Sequence, residues 1–209
     1  MRALRFLRIV DTIGRHGLDE FLPRREMAAR AFFRVLYFWR DTSRPRGERL
    51  RIALESLGPV FVKFGQLLSV RRDLVAADLA DELAKLQDSV PPFSWAQAAA
   101  VLDRAYGRPH AQVFASVDPV PIASASVAQV HFATLLDGRE VALKILRPGI
   151  REVIAKDVGL LYVLASWLER KLAQGRLLRL REVVREFENT VADELDLVRE
   201  AANASHLRR

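Results

Sequence analysis

Apolar residues recur at helical spacing over most of the 209-residue chain and gather into two β-like runs only near its middle. Ala3–Ile13 and Phe21–Trp39 read as helices in which arginines sit among large apolar side chains. Asp41–Gly47 reads as a loop, and Glu48–Val70 as a helix kinked or broken at Gly58-Pro59, because proline removes a backbone donor. Asp78–Gln87 is a further helix, closed off by Pro91-Pro92. Phe93–Tyr106 follows, with Ser94 as N-cap and Gly107 just beyond its end. Phe114–Pro121 is extended and leads into two strand-like runs, Val127–Leu136 and Glu140–Ile145. Between them Asp137-Gly138 suits the positive φ of a tight hairpin turn. Arg147-Pro148-Gly149 breaks the chain, Arg151–Leu172 is strongly apolar and helical, and Gln174-Gly175 punctuates it. Arg181–Leu207 has the period of one last long helix.

Three stretches depart from a plain core-and-surface pattern. Phe32, Phe33, Leu36, Tyr37, Phe38 and Trp39 crowd the second helix; burial of these aromatics against the domain, with the arginines solvated, is the expectation. A basic amphipathic helix of this composition also suits a membrane interface, an alternative kept for the first helix. On the apolar helix after Gly58-Pro59, Lys63 and Gln66 are three apart and share a face, costly for an apolar element unless each finds a partner. The last helix carries Glu186, Glu188, Asp193, Glu194, Asp196 and Glu200. On one continuous helix Asp196 and Glu200 share a face, with Glu194 about a third of a turn away.

The chemistry concentrates in Pro121–Lys144. Ala123-Ser124-Ala125-Ser126-Val127-Ala128-Gln129-Val130 has the spacing A-x-A-x-x-A-x-V, the kinase phosphate-loop pattern with alanine in each glycine slot. Val141-Ala142-Leu143-Lys144 reads as the strand whose lysine reaches nucleotide phosphates. Alanine resists the positive φ and the close backbone approach that glycine allows, so the loop is expected to take a conformation different from that of an ordinary kinase.

Half the residues are hydrophobic, which marks a folded protein. There is no cysteine, hence no disulfide or thiolate metal site, and the four histidines have no metal-ligand spacing. The net charge of +7 resides wholly in residues 1–51, with thirteen arginines against six carboxylates. Anionic lipid and nucleic acid are the two partners such a bias could serve; without an RNP, zinc or basic-zipper pattern, nucleic acid ranks last. Met1–Ile9 interleaves arginines with apolar residues, unlike a secretory signal. The longest uncharged apolar run, Val158–Leu168, has 11 residues, short of the roughly 20 that span a bilayer.

Taken together, Lys63-Phe64-Gly65-Gln66 (KxGQ), Arg71-Arg72-Asp73-Leu74, the Ala-rich loop and the stretch from Glu194 to Asn203 resemble the UbiB family, bacterial branch, over essentially the whole chain. The family comprises atypical kinase-like proteins tied to ubiquinone biosynthesis. The resemblance implies an α+β fold: an N-terminal helical KxGQ extension over 1–112, then a protein-kinase-like small lobe over 113–209 built from an antiparallel β-sheet and an αC helix. Ile122, Ala123, Ser124, Ala125, Ser126, Val127, Ala128, Gln129 and Val130 would cover ATP. Lys144 would bind it, and Glu200 would be the lysine's αC partner. Glu194 and Asp196 match the ExD motif whose carboxylates meet the KxGQ lysine, here Lys63, with Gln66 beside it. In the family the KxGQ helices fold over the site where a protein substrate would bind, restraining protein-kinase activity and leaving ATP binding or ATPase function.

The chain ends six residues after Asn203, without the catalytic-loop Asp or DFG Asp of a large lobe. No catalytic residue is therefore assigned, Mg²⁺ is expected only with those missing carboxylates, and the expectation is a truncated or shortened protein without phosphoryl-transfer activity. ATP, proteins or lipid intermediates of ubiquinone biosynthesis and an anionic membrane surface are the implied partners, with no nucleic acid. The implied location is peripheral, on the cytoplasmic side of the inner membrane; hydrophobic C-terminal anchors seen in the family are not part of this sequence. A non-catalytic lipid-binding module using the basic N-terminal helices is the alternative.

Overall fold

A computed structural model describes residues 2–22, 25–40, 42–87, 90–171 and 175–207. Met1, Asp41, Leu172, Gln174 and Arg209, where the sequence reading placed element or domain ends and a break, lie outside the described residues. The chain divides into two compact units, Met1–Gln87 with Ala155–Glu188, and Asp88–Ile154 with Asn189–Arg209. Both are discontinuous in sequence, whereas the sequence reading draws a single boundary at 112/113.

In the first unit, α1 (Arg2–Arg15) precedes a 3₁₀ turn at Leu18–Phe21 and α2 (Met27–Leu36). The single helix expected over Phe21–Trp39 is therefore interrupted at its start and ends early. Next come α3 (Arg46–Leu57), α4 (Pro59–Val70) and α5 (Ala77–Leu83). Gly58 separates α3 from α4 with φ of 102°, a value that penalises a Cβ, and Pro59 opens α4 where no donor is needed. Val62, Leu83 and Leu86 form the core here, with Leu50, Leu54 and Leu68 packed on it.

In the second unit, α6 (Trp95–Tyr106) starts in a capping box between Ser94 and Gln97 and stops at left-handed Gly107, as the sequence indicates. Four strands follow: β1 (Phe114–Val117), β2 (Ala123–Ser124), β3 (Ala128–Leu135) and β4 (Glu140–Leu146). β3 is central and antiparallel to all three. β4 runs along one edge, and β1 and β2 share the other. Gly138, at φ 86°, closes the β3–β4 hairpin. Ile145 and Leu143 of β4 pack on Ala98 and Leu102 of α6 with Phe93 and Trp95.

The remaining helices are α7 (Ile150–Lys171), α8 (Gly175–Leu178), α9 (Leu180–Glu194) and α10 (Leu197–Leu207). The one helix expected over Arg181–Leu207 is two. Its interruption has a local cause: the Asp196 carboxylate accepts a bond from the Arg199 amide at 3.0 Å, the geometry of an N-cap. Asp196 and Glu200 are thus not face-mates within one helix; the Asp196 carbonyl accepts the Glu200 amide at 3.1 Å and opens a new one.

Candidate functional site

The alternation of β3 and β4 sorts their side chains onto two faces of the sheet. Gln129, His131 and Ala133 are buried and share a face with Ile145 and Leu143, the face packed on α6. The opposite face carries Val130 opposite Lys144, and Phe132 opposite Ala142, with Phe132 and Ala142 exposed. Ala123 of β2 also pairs with Val130, so Ala123, Val130 and Lys144 form one rung on the open side. A depression of about 590 Å³ runs past Phe132 and Ala142 on this sheet. The result is a small apolar platform one rung away from an ammonium.

Lys144 Nζ lies 2.7 and 2.6 Å from the two carboxylate oxygens of Glu200. The pair is open to solvent, at 35% and 48% side-chain exposure, and lines a cleft of about 360 Å³ with Asp193, Glu194, Arg199 and Asn203. Arg199 is paired with Asp193. The cap at Asp196 places Glu200 in the first turns of α10, so the carboxylate that meets Lys144 is positioned by a neighbouring carboxylate.

The Ala-rich stretch folds as a tight β2–β3 hairpin. Ala125 donates its amide to the Ala128 carbonyl at 2.9 Å, and Ile122 to Val130 at 2.8 Å. Among the described non-glycine residues only Arg179 has positive φ, so the alanines turn the chain without the left-handed conformations that glycine would allow. Ile122 and Ala123 are exposed; Ser124, Ala125 and Val130 are half-buried; Ser126, Val127, Ala128 and Gln129 are buried. Gln129 faces the core: its Oε1 accepts the Phe93 amide at 3.1 Å, and its Nε2 lies 2.7 Å from His131 Nε2. His131 Nδ1 lies 2.7 Å from the Asp118 carbonyl and must donate there, so Nε2 is the acceptor of a neutral ring.

Arg147 had no role in the sequence beyond a chain break, yet it fastens this hairpin. Its Nε donates to the Ala125 carbonyl at 3.1 Å, and Nη2 donates to Ser124 Oγ at 3.0 Å and to the Pro91 carbonyl at 2.8 Å. Its backbone amide donates to the Val127 carbonyl at 2.9 Å, and its guanidinium stacks over Phe93. The available signal was an arginine immediately after β4, whose antiparallel register must bring it beside the tip of the loop. Phe132, likewise unassigned, follows from strand alternation alone.

Lys63 and Gln66 lie on α4 in the first unit, both half-buried. Gln66 Nε2 donates to the Leu86 carbonyl at 3.0 Å, the partner an amide on an apolar helix requires. Gly65 between them leaves no space: a Cβ there would lie 2.5 Å from Leu86 Cδ1 and 2.8 Å from Leu54 Cδ1. Glu194 and Asp196 belong to the second unit. Among the described residues no cluster of three or more His, Asp or Glu is arranged around a metal position, and no helix is long and apolar enough to cross a membrane.

Residues 85–209 match the model of the ABC1 atypical kinase-like domain. The whole chain aligns, at 51% identity over 213 residues, with "Probable protein kinase UbiB" from Marinobacter nauticus and spans 39% of that protein's length. Among solved structures, Rv3197 of Mycobacterium tuberculosis, in complex with erythromycin, matches 85% of this chain and 40% of its own at 31% identity, with a TM-score of 0.42.

Proposed function

The chain belongs to the ABC1 atypical kinase-like family, and on that premise we propose that its second unit grips the phosphates of ATP in a protein serving ubiquinone biosynthesis. The observation that carries this reading is the Lys144–Glu200 pair on the rung that begins at the Ala-rich hairpin. An exposed ammonium held by one carboxylate can exchange part of that contact for a phosphate, and the carboxylate keeps it aimed. Val130, Phe132 and Ala142 supply an apolar platform of the kind a purine stacks on.

Residues 113–209 are the small lobe on this reading, with the alanines of 122–130 over the nucleotide. The cleft side chains Lys144 and Arg199 face Asp193, Glu194 and Glu200, two cations against three carboxylates. A triphosphate therefore adds to an already negative cleft, a charge that magnesium held by large-lobe carboxylates would offset. On α4, Lys63 is read as the partner of Glu194 and Asp196, and Gln66 as its neighbour in the same motif. The ubiquinone link rests on the 51% identity to the protein named UbiB. Its partners are read as proteins or lipid intermediates of that pathway.

The test is a titration of the 209-residue chain with a fluorescent ATP analogue and magnesium. Saturable binding that weakens at least about tenfold in Lys144→Ala is expected, the scale of a lost charge-assisted contact. No binding, or a variant that binds as the unaltered chain does, overturns the reading. Phosphate release from ATP should stay at background; release that Lys144→Ala abolishes would show that this stretch alone performs chemistry.

A further inference from the structure

Independently of the nucleotide reading, we propose that α2 is an interfacial helix that lies in the surface of an anionic lipid bilayer. The expectation that the aromatics of 32–39 pack into the domain holds for Tyr37 and partly for Phe33 but fails for Phe32, Leu36, Phe38 and Trp39, and α2 itself buries none of its residues. Met27, Ala31 and Val35 form one ridge and Ala28, Phe32 and Leu36 the next, and all six are exposed. Met27 is 74%, Phe32 59% and Val35 77% open to solvent. About half of the helix circumference is thus apolar and uncovered. Just past its C-terminus Phe38 and Trp39, also exposed, meet edge to face with ring centroids 5.0 Å apart.

Only the inner edge is anchored. Tyr37 is buried against Gly14 of α1, where a Cβ would lie 2.2 Å from its ring, and its hydroxyl donates to Asp11 at 3.0 Å. Phe33 stacks on Tyr37 from the same side. The outward ridges are left to something outside the unit.

Charge selects the occupant. Residues 27–40 contain three arginines and no carboxylate. Much of the N-terminal arginine excess is answered internally: Arg5 by Asp157, Arg40 by Asp19, Arg46 by Asp78 and Arg49 by Glu20. Arg30 and Arg34, on the flank of the apolar ridges, pair with no carboxylate among the described residues. A second copy laid on this face would bring arginine against arginine. Headgroup phosphates answer them, while Phe32, Val35 and Leu36 enter the acyl boundary and Trp39 takes the interfacial depth that tryptophan favours. Ten residues are too few to span, so the helix lies flat.

The experiment is co-sedimentation of the 209-residue chain with phosphatidylcholine vesicles with and without phosphatidylglycerol, at low and high salt. Binding at least about tenfold stronger to the anionic vesicles is expected, as is its loss in the triple variant Phe32→Gln, Val35→Gln, Leu36→Gln. Arg30→Gln with Arg34→Gln should weaken binding and flatten its salt dependence. Bromine-labelled acyl chains give a second measurement that leaves α2 intact: they should quench the part of the tryptophan emission that Trp39→Leu removes. A chain that stays in the supernatant, a folded triple variant that still pellets, or absent quenching overturns the proposal. So does a dimer sensitive to the triple variant that ignores vesicles, which would assign the face to a second copy.

Discussion

The ion pairs that hold Asp157 and Asp19 in the first unit and the Lys144–Glu200 pair of the second use opposite charges in opposite ways. In the first, Asp157 and Asp19 are each 2% exposed at the side chain and held by Arg5 and Arg40. Arg49, itself buried, donates to the His16 and Gly17 carbonyls at 2.8 and 2.9 Å as well as to Glu20. In each of these pairs at least one partner is buried: the carboxylates of Asp157 and Asp19, and the Arg49 guanidinium. In the second, Lys144 and Glu200 meet on the open face of a sheet with water on both. An ion pair closed in protein fixes a fold, whereas one left at a cleft wall stays available for exchange.

That contrast can be broken most forcefully at Arg5. Arg5→Met leaves the Asp157 carboxylate buried without its partner and should cost about 3–5 kcal/mol in urea unfolding. Lys144→Met should cost less than about 1 kcal/mol, since exposed pairs contribute little, while nucleotide binding fails. Equal stability losses would erase the distinction. Gly65→Ala, where a Cβ would strike Leu86 and Leu54, should destabilise the first unit by about 1–3 kcal/mol through overpacking. Arg147→Met releases the Ala125 and Pro91 carbonyls and should cost about 1–2 kcal/mol. Hydrogen exchange over 123–130 should quicken more than exchange in α6, and uniform acceleration would mean that Arg147 is not specific to the hairpin.

The smallest effect concerns His16 in the first unit. Burial, then the neighbouring charges of Arg15 and Arg49, hold its pKa below the ordinary 6.5. The unfolded chain therefore takes up the proton first; stability present above about 6.5 is lost as pH falls through the depressed folded value. His16→Asn should flatten the unfolding midpoint across that window, and an unchanged slope would assign the dependence to other groups.

Much of the fold could be read from local signals. Ser94 and Gln97 write a capping box, Gly58-Pro59 a stop and a start, and Asp137-Gly138 a turn, each decided by neighbours in sequence. The Lys144–Glu200 contact spans 56 positions and no local rule yields it; a motif resemblance supplied both residues. Two readings failed for one reason. Helical periodicity over 181–207 hid the capping role of Asp196, and the apolar content of Phe32–Trp39 suggested burial, because periodicity reports a preferred face without saying what covers it. Arg147 escaped because its partners are mostly backbone carbonyls, which leave no mark in the residue types around them.

The fresh start at Asp196 also makes the lysine's partner tolerant of length changes upstream. In an unbroken helix, one inserted residue would swing everything beyond it by about 100° and carry Glu200 out of reach. With the azimuth of α10 set locally by the Asp196 carboxylate, a gain or loss in α9 can be absorbed at Leu195. Glu200 then keeps its bearing on Lys144.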